Sequence, residues 1–519
     1  MARKTIVTGV PIAGAELGVG SLAAVAQSAP CVATVQGMLS GASDQGIHRF
    51  LGIPYACPPI GALRWSPPLP PLRWKGLRDA TAFGPACLQG MAPGLNLRAD
   101  SESEDCLYLN VWTADANAGA RQPVMVWIHG GGNLYGAGSE EVFDGASLAA
   151  KGVTVVTINY RLGAFGFLAD PAFGSNFAVQ DHVAALGWVR ANIAGFGGNP
   201  DNVTVFGQSA GAVAVRSLLQ CPQAKGLFHR AIIQSAGFEA PAGGNWWSYQ
   251  RVNTASQRLF DMLGSHDPAV LRAAPAAGVL QAARALSGAI DRPGYARTPA
   301  QLVWTQVSDG HTVKADEFPG WGQQVPVMLG TVENEGRFFV PPGREYGRKM
   351  LENTVAEFAG ERTGEVLAQF DARALTPWQG LDELITTVIF TEPAMATMHL
   401  LAEKGRPLFY YHFRRLAPGA ARTQELVRHT AELRYVFGTY SADGFYDATD
   451  HRIGDAMQDS WVAFARDGVP ASGGAHWPRY DAKTPTAAII SDTIVPGAFP
   501  VTALMRLFNS MRGRDQRTA

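Results

Sequence analysis

Short apolar runs of four to six residues recur along the chain and predict strands that are buried on both faces. Longer stretches between them predict helices, such as residues 181–193 and 455–466. The predicted strands are residues 124–128, 153–158, 203–206, 231–234, 325–329 and 408–413. Strands that alternate with helices in this way predict a mixed, mainly parallel sheet covered by helices on both faces.

The run at 203–206 leads directly into a G-x-S-x-G turn, Gly207-Gln208-Ser209-Ala210-Gly211. A serine held at a tight turn from strand to helix leaves no room for a Cβ two residues before or after it, which explains the two glycines. With 58 glycines in 519 residues, such a pentapeptide arises by chance with an expectation of roughly a few tenths. The neighbouring motifs therefore decide whether Ser209 is a nucleophile.

A second motif follows the predicted strand at 124–128, which runs straight into His129-Gly130-Gly131-Gly132. Successive glycines let the backbone approach a substrate closely, so the N–H groups of Gly131 and Gly132, with that of Ala210, can form an oxyanion hole. A flexible glycine turn after a strand is the alternative for this segment alone. The serine turn makes the oxyanion loop the favoured interpretation.

Further motifs in a fixed order identify the family that the chain resembles. They are residues 50–56 (FLGIPYA), 63–65 (LRW), 103–112 (SEDCLYLNVW), 159–163 (NYRLG), 165–168 (FGFL) and 196–200 (FGGNP). Over nearly its whole length the chain resembles the type-B carboxylesterases, the carboxylesterase and cholinesterase family of α/β hydrolases. The resemblance implies a large, mostly parallel central sheet flanked by helices. Residues 240–315 and 341–403 fit the strand–helix pattern poorly and are predicted to be helical insertions that form a substrate gorge.

The acid of a catalytic triad should follow the nucleophile in an α/β hydrolase. Glu335 lies in the segment 330–336 (GTVENEG), just after a predicted strand. In the family this segment carries the acid as the glutamate immediately before a glycine, which implies Glu335. Glu333 in the same loop is the competing carboxylate.

The histidine should come last in the triad, and the chain offers eleven. The segment that begins at His429 (HTAELRYVFG) resembles the family's catalytic-histidine segment, which implies that His429 is the general base. His412 lies in a predicted core strand and is expected to be structural. His129 precedes the serine, so we expect it to orient the glycine loop through a hydrogen bond.

Composition and charge limit the partners and the compartment. The net charge is −1, which gives no electrostatic footprint for nucleic acid. The resemblance implies a serine hydrolase with no metal or organic cofactor and a small-molecule ester as substrate. Beyond the chain start no run is long or apolar enough for a membrane span, so we expect no integral membrane segment. We expect a monomer or a weak homo-oligomer.

The chain start and the cysteines bear on export. Residues 1–26 combine a basic start with a small-residue cleavage pattern and are a possible signal peptide, which leaves residues 27–519 as a single catalytic domain. Glu16 interrupts the apolar stretch, so a cytoplasmic leader is the alternative. The resemblance implies a disulfide between Cys87 and Cys106 and favours a secreted or periplasmic enzyme. The remaining cysteines, Cys31, Cys57 and Cys221, have no clear partners.

Two departures from the cholinesterases narrow the expected substrate. Cholinesterases have a glutamate before the nucleophile where this chain has Gln208, and residues 88–105 contain no tryptophan to face a quaternary ammonium. We therefore expect hydrolysis of uncharged esters through an acyl-enzyme. Phe238, Trp246 and Trp247 either line a substrate pocket or belong to the core. Some relatives have lost the nucleophile and serve as binding proteins, and an intact Ser209 argues against that alternative.

Overall fold

The structure is a computed structural model of the 519-residue chain. It describes residues 29–90, 96–236, 248–287, 293–314, 323–403, 405–473 and 475–515. The possible signal peptide at residues 1–26 lies outside these ranges, as do Phe238, Trp246 and Trp247.

Among the described residues, the strands form one large sheet and three small ones. In chain order they are β1 (Cys31–Ala33), β2 (Met38–Ser40), β3 (Ala42–Asp44), β4 (Ile47–Pro54), β5 (Leu77–Asp79), β6 (Ala86–Cys87), β7 (Glu102–Ser103), β8 (Tyr108–Thr113), β9 (Gln122–Ile128), β10 (Thr154–Ile158), β11 (Gly198–Gln208), β12 (Arg230–Gln234), β13 (Val327–Val332), β14 (Leu408–Phe413), β15 (Ala471–Ser472), β16 (Ala475–His476), β17 (Thr486–Ile490) and β18 (Ile494–Ala498). The large sheet has 11 strands in the order β18-β17-β14-β13-β12-β11-β9-β10-β8-β4-β3. Its middle, from β10 to β17, is parallel, and both margins are antiparallel.

Both faces of the sheet are apolar, as the continuous runs in the sequence predict. In β9, Val124 and Val126 pack into the core on one face, whereas Met125 and Trp127 pack into the core on the other. All four side chains are fully buried. Because both faces of the strand are buried, its sequence is an uninterrupted apolar run rather than an alternation of apolar and polar residues.

Helices cover these two faces. In chain order they are α1 (Ala146–Ala150), α2 (Gly163–Phe167), α3 (Phe177–Asn192), α4 (Ala210–Leu219), α5 (Tyr249–Leu263), α6 (Pro268–Ala273), α7 (Ala276–Ser287), α8 (Arg348–Ala359), α9 (Thr363–Ala372), α10 (Pro377–Ile385), α11 (Glu392–Ala402), α12 (Pro418–Thr423), α13 (Leu433–Phe437), α14 (Ala448–Asp467) and α15 (Ala503–Asp515). A π-helical turn, Thr386–Thr391, joins α10 to α11. Helices α5 to α7 and α8 to α11 lie in the two segments predicted to be helical insertions.

Within the described ranges, one helical stretch is long and apolar enough to cross a membrane, Pro377–Ala402. However, 78% of its apolar window is buried inside the protein. Burial of this extent is what a core helix of a folded domain shows.

The register of the central strands brings distant segments to one edge of the sheet. Ile128 at the end of β9 pairs with Gly207 in β11, and Gln208 pairs with Gln234 at the end of β12. Gln234 in turn pairs with Gly330 in β13. Because these strands are parallel, the loops that leave their carboxyl ends converge there, which is where ligands bind in open α/β sheets.

Candidate active site

Ser209 occupies the turn between β11 and α4 with φ 57° and ψ −126°, a conformation that is strained for a residue with a side chain. The flanking glycines are needed because of close packing. A Cβ on Gly207 would lie 2.5 Å from the carbonyl oxygen of Gly211, and a Cβ on Gly211 would lie 2.0 Å from that of Ile128. The elbow is thus pressed against the end of β9, as a G-x-S-x-G turn requires.

The glycine loop follows β9 and lies beside this elbow. Gly131 and Gly132 have φ values of 100° and 63°, and a Cβ on Gly131 would lie 2.1 Å from the carbonyl oxygen of Tyr135. A Cβ on Gly130 would lie 3.1 Å from the Cβ of Ser209. Among the described residues, the N–H groups of Gly131, Gly132 and Ala210 have no hydrogen-bond acceptor. These three donors are available to a ligand.

His129 is buried beneath the loop. Its Nδ1–H donates to the carbonyl oxygen of Gly130 at 2.9 Å, and its ring stacks on Tyr160 with centroids 4.4 Å apart. The Tyr160 hydroxyl donates to the backbone oxygen of His129 at 2.8 Å. Burial lowers the pKa of His129 to about 4, so the ring is neutral at physiological pH and serves as a packing and hydrogen-bonding element.

Glu335 and His429 form a buried pair. The Nδ1–H of His429 donates to Oε2 of Glu335 at 2.5 Å, and the other carboxylate oxygen accepts from the N–H of Val332 at 3.0 Å. Glu335 is 0% exposed and His429 is 2% exposed. A buried carboxylate in this position fixes both the tautomer and the orientation of the imidazole.

The imidazole of His429 lies against the residue before Ser209. The amide nitrogen of Gln208 is 3.1 Å from Nε2 and 3.4 Å from Nδ1 of His429, so it contacts the face of the ring. Within the part of the chain that the structure describes, the Ser209 hydroxyl forms no hydrogen bond to this ring. The structure therefore brings Glu335, His429 and the serine elbow together, with the Gln208 amide against the imidazole ring.

Glu333, the competing carboxylate, has different partners. Its Oε2 accepts from Nε2 of His412 at 2.7 Å and from Nε of Arg414 at 2.9 Å. The His412 hydrogen bond is the main cause that lowers the pKa of Glu333. The loop after β13 thus carries two glutamates, each paired with a different histidine, and Glu335 is the one whose histidine reaches the elbow.

Several groups around His429 were not expected from the sequence. Three phenylalanine rings surround the imidazole at centroid distances of 5.7, 5.8 and 4.8 Å, namely Phe338, Phe339 and Phe390. Phe338 is 45% exposed, so one aromatic side chain beside His429 is open to solvent. Phe338 and Phe339 follow Glu335-Gly336 after one intervening residue, Arg337, and this position could have indicated two of the rings, but Phe390 has no local signal.

Glu432 is a second buried carboxyl near the site. It accepts a hydrogen bond from Nε2 of Gln234 at 3.2 Å, and Oε1 of Gln234 in turn accepts from Nε1–H of Trp461 at 3.1 Å. Burial, and secondarily the charge of Glu335, raises the pKa of Glu432 to about 8. Glu432 is therefore largely protonated at neutral pH, which avoids a second negative charge near Glu335.

The disulfide implied by the resemblance is present between Cys87 and Cys106. Cys31, Cys57 and Cys221 are free in the structure. Among the described residues, no group of three histidine, cysteine or acidic side chains could hold a metal ion.

Known proteins share both the sequence and the fold. The carboxylesterase family model matches residues 28–496. The para-nitrobenzyl esterase of Bacillus subtilis (strain 168) is 34% identical over 485 residues, which cover 89% of this chain and 95% of that protein. The fumonisin B1 esterase of Sphingopyxis macrogoltabida is 34% identical over 484 residues, with coverages of 86% and 84%.

Among solved structures, a PNB esterase superposes with a TM-score of 0.79 at 32% identity, covering 93% of this chain and 100% of that chain. A carboxylesterase of Geobacillus stearothermophilus gives a TM-score of 0.79 at 31% identity, with coverages of 93% and 99%. The fold is that of the α/β hydrolases. The chain belongs to the carboxylesterase family and is a carboxylic ester hydrolase.

Proposed function

We propose that this enzyme hydrolyses uncharged carboxylic esters through an acyl-enzyme, with Ser209 as nucleophile, His429 as general base and Glu335 as the acid that orients it. The N–H groups of Gly131, Gly132 and Ala210 form the oxyanion hole. The observation that carries this proposal is the buried Glu335–His429 pair, whose imidazole lies against Gln208, the residue before Ser209 in the strained elbow.

The first half-reaction transfers the acyl group to the enzyme. His429 Nε2 takes the proton of the Ser209 hydroxyl as Oγ attacks the ester carbonyl. The carbonyl oxygen becomes negative and accepts hydrogen bonds from the N–H groups of Gly131, Gly132 and Ala210. His429 then gives the proton to the leaving alcohol, the bond from carbon to the alcohol oxygen breaks, and the acyl group remains on Ser209.

Water completes the cycle in the second half-reaction. His429 removes a proton from the water as its oxygen attacks the acyl carbon, and the same N–H groups stabilise the second oxyanion. Collapse of this intermediate releases the carboxylic acid and returns the proton from His429 to Ser209. Glu335 stabilises the imidazolium in both halves without accepting its proton.

The surroundings of the base favour a substrate without positive charge. Gln208 is neutral where a carboxylate would attract a cation, and the guanidinium of Arg428 already lies 5.7 Å from the ring centre of Phe338. A quaternary ammonium at that aromatic face would meet a like charge. Relatives of this chain are named for para-nitrobenzyl esters, fumonisin B1 and phenmedipham, so their names do not converge on one substrate.

We also propose that residues 27–519 form one catalytic domain of an exported enzyme that is active as a monomer or a weak homo-oligomer. The Cys87–Cys106 disulfide supports export, because disulfides persist mainly in oxidising compartments. A cytoplasmic enzyme is the alternative.

The test is covalent labelling together with turnover of a p-nitrophenyl ester. Ser209→Ala should remain folded, lose labelling by a fluorophosphonate probe, and turn over the ester about a million-fold more slowly. Ser235→Ala is the matched control, since Ser235 also follows a strand of the sheet and also has a positive φ of 57°. It should keep both labelling and turnover. An adduct that maps to a serine other than Ser209 would overturn the assignment.

A further inference from the structure

The loop closed by the disulfide lies against the segment that follows the three glycines. The N–H of Arg98 donates to the carbonyl oxygen of Ser139, and the N–H of Glu141 donates to that of Asn96, both at 2.9 Å. The disulfide anchors this loop at Cys87 and Cys106. The backbone beyond the glycine loop is therefore joined to a covalently closed element.

Gln89 makes the most direct of these connections. Its amide nitrogen donates to the carbonyl oxygens of Cys87 and Gly136, both at 3.0 Å, and its amide oxygen accepts from the N–H of Gly136 at 2.8 Å. The side chain is 2% exposed. One buried amide thus binds both backbone groups of Gly136 and one carbonyl next to the disulfide.

Gly136 in turn closes the glycine loop onto its own start. It has φ +107°, and a Cβ there would lie 2.4 Å from Nδ1 of His129 and 3.0 Å from the carbonyl oxygen of Gly130. Between Gly130 and Gly136, the carbonyl oxygen of Gly131 accepts hydrogen bonds from the N–H groups of Leu134 and Tyr135, both at 3.1 Å. The loop is a closed turn, so a shift of Gly136 is transmitted to Gly131.

Asn159 forms a similar bridge between the same two segments of the chain. Its amide nitrogen donates to the carbonyl oxygen of Pro85 at 3.0 Å, and its amide oxygen accepts from the N–H of Gly138 at 2.8 Å. Two amide side chains therefore tie residues 85–89 to residues 136–138. Gln89 is the one that binds the residue in contact with the glycine loop.

We propose that Gln89 is a positioning residue of the oxyanion hole. By holding Gly136 from the disulfide-closed loop, it fixes the glycine loop so that the N–H groups of Gly131 and Gly132 point at the substrate carbonyl oxygen. This inference rests on the proposed function. An active-site group has to be held within about 0.5 Å of its productive position, and a displacement of 1 Å can cost about 100-fold in rate.

The expected signature is a change in kcat with little change in KM. Hydrogen bonds from an oxyanion hole strengthen as charge develops in the transition state, so loosening them raises the barrier more than it weakens substrate binding. Gln89→Met keeps the length of the side chain and removes its hydrogen bonds, and Gln89→Leu is the second variant. We expect kcat per titrated active site to fall by about 10- to 100-fold, with KM within about threefold of wild type.

Gln122→Leu is the matched control. The Gln122 side chain also donates two hydrogen bonds, to Oγ1 of Thr113 at 3.1 Å and to the carbonyl oxygen of Asp115 at 2.9 Å. Gln122 is the first residue of β9, whereas the glycine loop follows the last residue of that strand. This variant should keep the wild-type kcat per active site, even if it unfolds at a lower temperature.

A pair of inhibitors separates positioning from a general structural role. A trifluoromethyl ketone adds to Ser209 and places an oxyanion in the hole, whereas the matching methyl ketone binds mainly without addition. Gln89→Met should weaken the binding of the trifluoromethyl ketone by about the factor by which kcat falls. The affinity for the methyl ketone should stay within about threefold of wild type. Equal weakening of both inhibitors, or an unchanged kcat in both Gln89 variants, would overturn the inference. Turnover by Ser209→Ala would instead overturn the proposed function.

Discussion

At the scale of single residues, two glutamates that lie two positions apart near the site have different partners. Glu335 is bound to His429, and Glu333 is bound to His412 and Arg414. Chain order and the motif favour Glu335, but the sequence alone keeps Glu333 as a competitor. The register of β13 and β14 places His412, and a bridge between Asn334 and Arg428 places His429. This pairing is a tertiary property.

The two carboxylates can be compared directly by substitution. Glu335→Gln should lower kcat by about four orders of magnitude, because an amide in that position stabilises the wrong imidazole tautomer. Glu333→Gln should leave kcat nearly unchanged, because its partner His412 does not touch the elbow. Steady-state kinetics on one p-nitrophenyl ester measures both effects. Equal losses in the two variants would mean that the acid has been assigned to the wrong glutamate.

Glu432 makes stability depend on pH. Burial raises its pKa from 4.5 to about 8 in the folded protein, so the folded state binds a proton that the unfolded state releases. The contribution of Glu432 is therefore most favourable below pH 4.5 and is lost as the pH rises to about 8. Glu432→Gln keeps the shape and cannot ionise, so it should be more stable than wild type at pH 9, by on the order of 4 kcal/mol.

Thermal unfolding at pH 5 and pH 9 measures this effect. The two proteins should differ little at pH 5, where the wild-type carboxyl is protonated in the fold, and Glu432→Gln should unfold at the higher temperature at pH 9. The same difference at both pH values would show that Glu432 does not titrate in this range.

At the scale of elements, the sequence predicts the buried middles of strands better than their ends. The apolar run 203–206 identifies β11, but the strand extends from Gly198 to Gln208. Gly198 at its start pairs with Gln122 of β9, and the register shifts between Gly198 and Val203. The apolar pattern of the sequence gives no indication of that pairing. The same holds for the margins of the sheet, where β18 contains Pro496 and Gly497 and is paired on one side only.

The first turn of a helix is also difficult to predict from the apolar pattern of the sequence. The helix predicted at 455–466 is α14, which begins at Ala448. The Asp447 side chain accepts from the N–H groups of Thr449 and Asp450, and Asp450 completes a capping box. This first turn is polar and capped rather than apolar and periodic, so a search for apolar spacing misses it.

At the scale of the whole molecule, the parallel sheet assembles a site from segments that are far apart in the chain. The motifs at Ser209 and Gly131 are local, and the sequence could identify them without the fold. The ring of Phe390 beside His429 could not be identified, because it is brought there by the packing of an inserted helical segment against the loop after β13. The insertions were predicted as helical, but not the side chains that they place around His429.

The charges of the whole site bear on which alcohol the enzyme accepts. A quaternary ammonium bound by an aromatic face gains about 2 kcal/mol or more when desolvated. Phe338 offers such a face, but Arg428 lies over its ring and Gln208 supplies no compensating negative charge. The net charge of −1 gives no long-range attraction for a cation either. Positive charge on the alcohol should therefore be of no benefit.

A pair of butyrate esters isolates the effect of a positive charge on the alcohol. The choline ester and the 3,3-dimethylbutyl ester have alcohols of nearly the same shape, and they differ mainly in charge. We expect kcat/KM on the neutral ester to equal or exceed that on the choline ester, and Arg428→Gln should shift the ratio towards choline by removing the like charge. A choline ester favoured tenfold or more by the wild-type enzyme corresponds to about 1.4 kcal/mol of transition-state binding. That result would require an acidic or aromatic group in the pocket that outweighs Arg428, and the assignment to uncharged esters would be wrong.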